Sequence, residues 1–174
     1  MLKTINVEQE LERFLKSVIK QTKTNLTKKG INASKQLYNS FKRDLHIGPN
    51  SIDASILSDE YNDYGKFIND GVAGSESGRS LSGYKYTTKK PPLNEIIKWM
   101  KVKPVKARDK KTGKFITQRQ GAFAIQNAIF LRGIKPTEFF SRPFDLAFAK
   151  LPKELIEAYG LDVEQFMEFV LNKN

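Results

Sequence analysis

Seven basic side chains fall within fourteen residues: Lys101, Lys103, Lys106, Arg108, Lys110, Lys111 and Lys114. Tyr84, Tyr86, Trp99 and Phe115 flank or interleave them. Cations attract phosphate and aromatic rings stack on bases, so the pattern suits a nucleic-acid backbone; it suits an acidic protein face as well. The bland alternative is a solvated loop that serves solubility, with Trp99 packed under a short helix. No helix-turn-helix, ribonucleoprotein or zinc pattern accompanies the run, so a DNA contact would be to the backbone and without sequence preference. The wider segment from Arg79 to Arg119 holds thirteen Lys and Arg against two acids, Glu95 and Asp109. The other residues carry seventeen bases and seventeen acids, so the net +11 of the chain resides in that one segment.

Other chemistry is thinner. Histidine acid–base work would rest on His46 alone, beside a predicted strand and without an obvious partner, so a structural histidine is the better reading. The acids Asp59, Glu60, Asp63 and Asp70 are of the type a magnesium-dependent nuclease uses. They also suit a helix: Asp59 and Glu60 at its N-terminus, Asp63 and Asp70 seven residues apart on one face. Ala73-Gly74-Ser75-Glu76-Ser77-Gly78-Arg79-Ser80 comes near a P-loop but has Ala for its first glycine, Arg for its lysine and a glutamate inside the would-be nest. A plain loop is expected there. With no cysteine, disulfides and thiolate metal sites are excluded, and one histidine leaves little for zinc.

These residues need a frame. A chain of 174 residues is expected to be a single domain, 1–174, with 72–119 as an extended basic arm or insertion. The 39 % apolar content and twelve Phe support a globular core. No apolar run marks a secretory signal or a membrane span, so no membrane is expected as a partner, and the sequons at Asn25 and Asn32 carry little weight.

Val7, Leu11, Phe14, Leu15, Val18, Ile19 and Leu26 predict a long first helix, with acids early, Lys28 and Lys29 late and Gly30 as its stop. Leu37, Tyr38 and Phe41 form a short amphipathic stretch, and Leu45, Ile47, Ile52 and Ile56 around Gly48-Pro49-Asn50 predict a β-hairpin. Tyr61, Tyr64, Phe67 and Ile68 return to helical spacing and end at Gly71. Residues 71–90 are expected to be an irregular, mobile loop. Pro91-Pro92 opens a short helix with Leu93, Ile96, Ile97 and Met100 on one face, and Lys111-Thr112-Gly113-Lys114 is a turn. Phe123, Ile125, Ile129, Phe130 and Leu131 predict a helix apolar nearly all round, buried on several sides in a core or against another subunit. Phe139, Phe140, Phe144 and Phe148 lead into C-terminal helices, the last capped by Asp162. The fold class is α+β: a long N-terminal helix packed on a small antiparallel sheet, further helices at the C-terminus and one long basic loop.

Three stretches resemble the head–tail joining (tail-completion) family of long-tailed bacteriophages. Tyr64-Gly65-Lys66-Phe67-Ile68-Asn69-Asp70-Gly71 is similar to its aromatic-small-x-x-aliphatic-acid-x-glycine signature, with Asn69 at the acid position. Phe139-Phe140-Ser141-Arg142-Pro143-Phe144 resembles its aromatic Arg-Pro closing motif, so Arg142 and Pro143 join Tyr64, Gly65 and Gly71 as signature positions. Leu37-Tyr38-Asn39-Ser40 lies where the family joins its first helix to its first hairpin, although Ala33-Ser34 replaces the usual Thr-Gly pair. Pro91 to Lys103 resembles larger phage relatives. The resemblance implies a structural virion protein of the neck or tail, without catalytic residues or cofactors. It would be assembled in the host cytoplasm into a hexameric ring between portal and tail proteins. Phe123, Ile125, Ile129 and Phe130 would then offer a subunit face, and the basic arm would dock on protein or touch the backbone of packaged DNA. The rivals are a non-specific nucleic-acid-binding protein that uses 79–119, and the metal-dependent nuclease.

Overall fold

The computed structural model describes residues 4–31, 35–48, 51–77, 80–103, 105–109 and 111–172. The fold is α+β, and the chain divides into two compact units. The first comprises Met1–Lys28, Tyr38–Asp59 and Phe139–Asn174; the second comprises Lys29–Leu37 and Glu60–Glu138.

In the first unit, helix α1 (Ile5–Lys28) buries Leu11, Phe14, Leu15, Val18 and Leu26, the predicted stripe. A short helix α2 (Gln36–Ser40) precedes strands β1 (Lys42–Ile47) and β2 (Ile52–Leu57), which form the predicted antiparallel hairpin, in register from Lys42 opposite Leu57 to Ile47 opposite Ile52. Pro49 and Asn50 of its turn lie outside the described residues. Leu45, Ile52 and Ile56 lean on the α1 core, which Leu151 completes from helix α7 (Leu151–Leu171). Helix α6 (Ser141–Phe148) adds Phe144, whose ring meets Phe14 edge-on at 5.8 Å. Phe41, Phe140, Phe144 and Phe148 stack in series at 5.7–5.8 Å, a geometry that adds to the area the rings bury.

The C-terminus departs from expectation. There is no separate last helix capped by Asp162; α7 runs unbroken across it. Asp162 is 1 % exposed and caps a different helix. Its carboxylate accepts from the Asn6 backbone N–H at 3.0 Å, the Asn6 side-chain amide at 2.8 Å and the Val7 N–H at 3.1 Å. Those backbone donors are orphans of the first turn of α1, so an acid is stabilising there.

In the second unit, a π-turn (Tyr61–Gly65) runs directly into helix α3 (Lys66–Asp70), which stops at Gly71 with φ +75°. Two elements escaped the sequence. Strand β3 (Val72–Ala73) pairs antiparallel with β4 (Gly133–Ile134), giving a second small ladder beside the expected one. Helix α4 (Leu93–Val102) packs Ile96 and Met100 against Ala122 of α5 (Gln118–Arg132), with Ile125 and Ile129 alongside. Gly121 permits this approach: a Cβ there would meet Ala107 Cβ and Met100 Cε at 3.2 Å. Thr117 and Gln120 start α5 with a reciprocal capping box.

Among its described residues the loop expected over 71–90 is irregular apart from strand β3, but its backbone is tied down. The Ala73 N–H donates to Tyr84 O at 3.0 Å and Tyr86 N–H to Ala73 O at 2.9 Å. Ser75 and Glu76 N–H groups reach the carbonyls of Phe130 and Leu131. The closeness depends on glycine. A Cβ on Gly74 would lie 2.1 Å from Leu131 O, and one on Gly133 (φ +78°) 2.0 Å from Val72 O. Both distances are far inside van der Waals contact, so only glycine fits.

Candidate functional site

The basic segment belongs to the second unit and has two parts. The first is the end of α4, where Lys101 is exposed and the Lys103 ammonium donates to the Gly30 carbonyl, so Lys103 has a structural role. Trp99 is 42 % exposed and is not packed under the helix; Ile96 and Met100 occupy that face. The second part is a hairpin centred on residues 107–116. Arg108 bridges to Phe115, Ile116 N–H donates to Ala107 O at 3.1 Å and Asp109 N–H to Lys114 O at 2.9 Å. At the tip Asp109 accepts from Lys111 N–H at 2.9 Å and from Thr112 N–H at 2.7 Å and its hydroxyl at 3.0 Å. Those bonds, the Thr112 backbone first, hold its carboxyl below the ordinary carboxylate value. Gly113 takes φ +68° to close the predicted turn.

The single acid of the hairpin is thus engaged by its own turn, while Lys106, Arg108, Lys111 and Lys114 are exposed. None of the four is in an ion pair among the described residues. The Arg108 guanidinium lies 4.1 Å from the centroid of the Phe115 ring, itself 59 % exposed. A cation held over an aromatic face is oriented before any partner arrives. Lys110 and Arg79 lie outside the described residues.

The signature segment is well tied. Gly65 is buried, where a Cβ would meet Leu37 and Tyr61 at 3.0 Å. The α3 carbonyls of Ile68 and Asn69 accept from Thr137 N–H, the Asn69 carbonyl from Glu138 N–H at 2.9 Å, and Ile68 O from the Thr137 hydroxyl at 2.7 Å. Tyr61 sits against this turn; burial first, then the Asp70 charge, pushes its phenol up to about 12, so it stays neutral at physiological pH. In the first unit, Pro143 is buried and Arg142 exposed in the first turn of α6.

The subunit-face candidates separate. Ile125 and Ile129 are partly buried against α4, so α5 is not buried all round. Phe123 is 52 % exposed, with the Lys90 ammonium over its ring and that of Phe130 at 5.7 and 5.6 Å. A larger apolar face, which the sequence reading did not single out, lies on α7. Ile156, Tyr159, Val163, Met167 and Val170 are all exposed and recur at three- and four-residue steps. That spacing places them in one stripe, the pattern by which helices pack on helices. The signal was in the sequence, mixed with the stripe that packs on α1.

The residues weighed for catalysis lie as follows. His46 is exposed on β1 opposite Asp53. Asp63 is exposed, and Asp70 accepts from the Asn69 side-chain amide at 2.7 Å. Among the described residues no group of three or more His, Asp or Glu is placed to hold a metal ion. The N–H groups of Ala73, Ser75, Glu76 and Ser77 donate to backbone carbonyls and do not form a phosphate nest. No described helix is long and apolar enough to cross a membrane. No protein-family model, curated protein or solved structure matches this chain.

Proposed function

We propose that this chain is a structural protein of a bacteriophage neck or tail, forming a ring that completes the tail and joins it to the head. The observation that supports this most is the signature segment: Tyr64–Gly71 carries a helix end into a glycine with φ +75°, compatible with the helix or strand end that runs into a turn in the resembling family's pattern. A ring needs apolar faces for neighbouring copies, and the α7 stripe and Phe123 offer them. The basic hairpin then docks on an acidic face of a neighbouring neck protein. A lumen through which DNA must pass is poorly served by lysines that grip phosphate, since each phosphate neutralised tightens holding. The test is gold-labelled antibody against this chain on purified virions of the phage that encodes it. Label at the head–tail junction is expected; unlabelled virions would remove the proposal.

A second reading, a non-specific nucleic-acid-binding protein, is favoured by the Arg108–Phe115 pair among exposed lysines. Charge reversal at Lys106, Lys111 and Lys114 should weaken DNA binding on that reading and block particle assembly on the first. Lys103 is a poor choice for reversal, because its ammonium holds Gly30.

A further inference from the structure

Outside the 79–119 segment the charges sum to zero, but they are not evenly spread. From Arg13 to Arg43 the chain has nine Lys and Arg and no acid. The first unit gathers five of them, Lys16, Lys20, Lys23, Lys28 and Arg43, around one open groove that includes Tyr38. The groove encloses about 590 Å³, the size of an ordinary ligand cleft. Glu12 beside it pairs with Lys16 at 2.7 Å and Arg43 at 3.2 Å. Lys20, Lys23 and Lys28 are in no ion pair among the described residues. The Lys23 ammonium lies 5.1 Å from the Tyr38 ring centroid.

From this the geometry points to a second polyanion site, a groove along the C-terminal half of α1 that takes the phosphate backbone of a nucleic acid. The helix dipole accounts for Lys28 in the last turn but for none of the lysines further back, because its effect fades within one turn. Lys20, Lys23 and Lys28 advance along the axis by about 4.5 and then about 7.5 Å, a row of point charges that can follow a strand bearing one charge per roughly 3.4 Å. An acidic protein would need apolar anchors at the centre of its footprint, and the lining has five cations but only two apolar side chains, Ile19 and Tyr38. A charged groove with one aromatic wall is instead the arrangement that tracks a backbone and lets a base or sugar rest on the ring. The site needs a single copy of the chain, so it does not depend on ring formation.

The test is fluorescence anisotropy at low salt with short fluorescein-labelled DNA, duplex and single-stranded, and the full chain. We compare wild type with the triple variant Lys20→Gln, Lys23→Gln, Lys28→Gln, and with Lys106→Gln, Lys111→Gln, Lys114→Gln as the hairpin control. Glutamine keeps helix propensity, and Lys20→Arg, Lys23→Arg, Lys28→Arg keeps the charge as a check on folding. The groove triple should bind at least about tenfold more weakly, with the slope of log affinity against log salt reduced by about 2 to 3, while the arginine triple binds like wild type. Wild-type affinity in the glutamine triple, or a wild-type protein that binds neither DNA, overturns the inference.

Discussion

The two units are held together by different means. The first is organised by side chains: α1 lies under α6, α7 and the hairpin, with a series of stacked phenylalanines along its flank. The second is organised by backbone: its small α4–α5 core is accompanied by close main-chain crossings at Gly71, Gly74 and Gly133. A side-chain core loses stability in proportion to what is removed, whereas a backbone crossing fails outright when a single methyl group is added. That contrast can be broken from either side.

The largest effect should come from Gly74→Ala. Its Cβ would sit 2.1 Å from Leu131 O and 2.5 Å from Gly133 N, both main-chain atoms that cannot swing aside. Chemical denaturation should show a loss of at least about 3 kcal/mol. A loss under about 1 kcal/mol would mean that the crossing is not the fastener of the second unit.

Next is Asp162→Ala, which removes the acceptor for three donors at the start of α1. A loss of about 2 kcal/mol is expected, since a cap and buried donors are lost together. A thermal midpoint equal to wild type would show that water satisfies those donors equally well. Thr22→Val should move the other way. The Thr22 hydroxyl is fully buried in the first unit without a hydrogen-bond partner among the described residues. An apolar side chain of the same shape should stabilise by about 1 kcal/mol, and destabilisation would point to a bond the static structure lacks.

The smallest effect is local. Asp109 has its folded carboxyl below the ordinary 3.8 because of the Thr112 and Lys111 bonds. The contribution of the turn is therefore complete above that value and is lost as pH falls through the lowered one. Amide spectra of Lys111 and Thr112 should shift in acid below about pH 3.8. Shifts that begin near neutral pH would contradict the turn as described.

Much of the frame was legible because it is periodic. The α1 stripe, the alternating hairpin, the proline start of α4 and the glycine stop of α5 each leave a local pattern. What stayed hidden depends on distant partners. Asp162 stands two residues after a glycine and resembles a local cap, yet the donors it serves are 155 and 156 residues away. Strands β3 and β4 are two residues each, too short for any alternation to show. Gly160 suggests a break, but one glycine costs a helix only about 1 kcal/mol, and Ala158 and Asp162 are buried on either side of it. The α1 groove was concealed by arithmetic: acids elsewhere cancel its lysines in the sum, though not at the surface. The basic hairpin was the part of the candidate site most readable in advance, since its Lys, Gly and Asp residues are neighbours in sequence.

The central proposal is that this protein works at the head–tail joint of a bacteriophage. Electron microscopy of a lysate from the encoding phage, with this gene disrupted and then restored in trans, tests it most directly. The account predicts filled heads separate from finished-looking tails, and joined particles once the gene is restored. Normal infectious particles from the disrupted phage would contradict it.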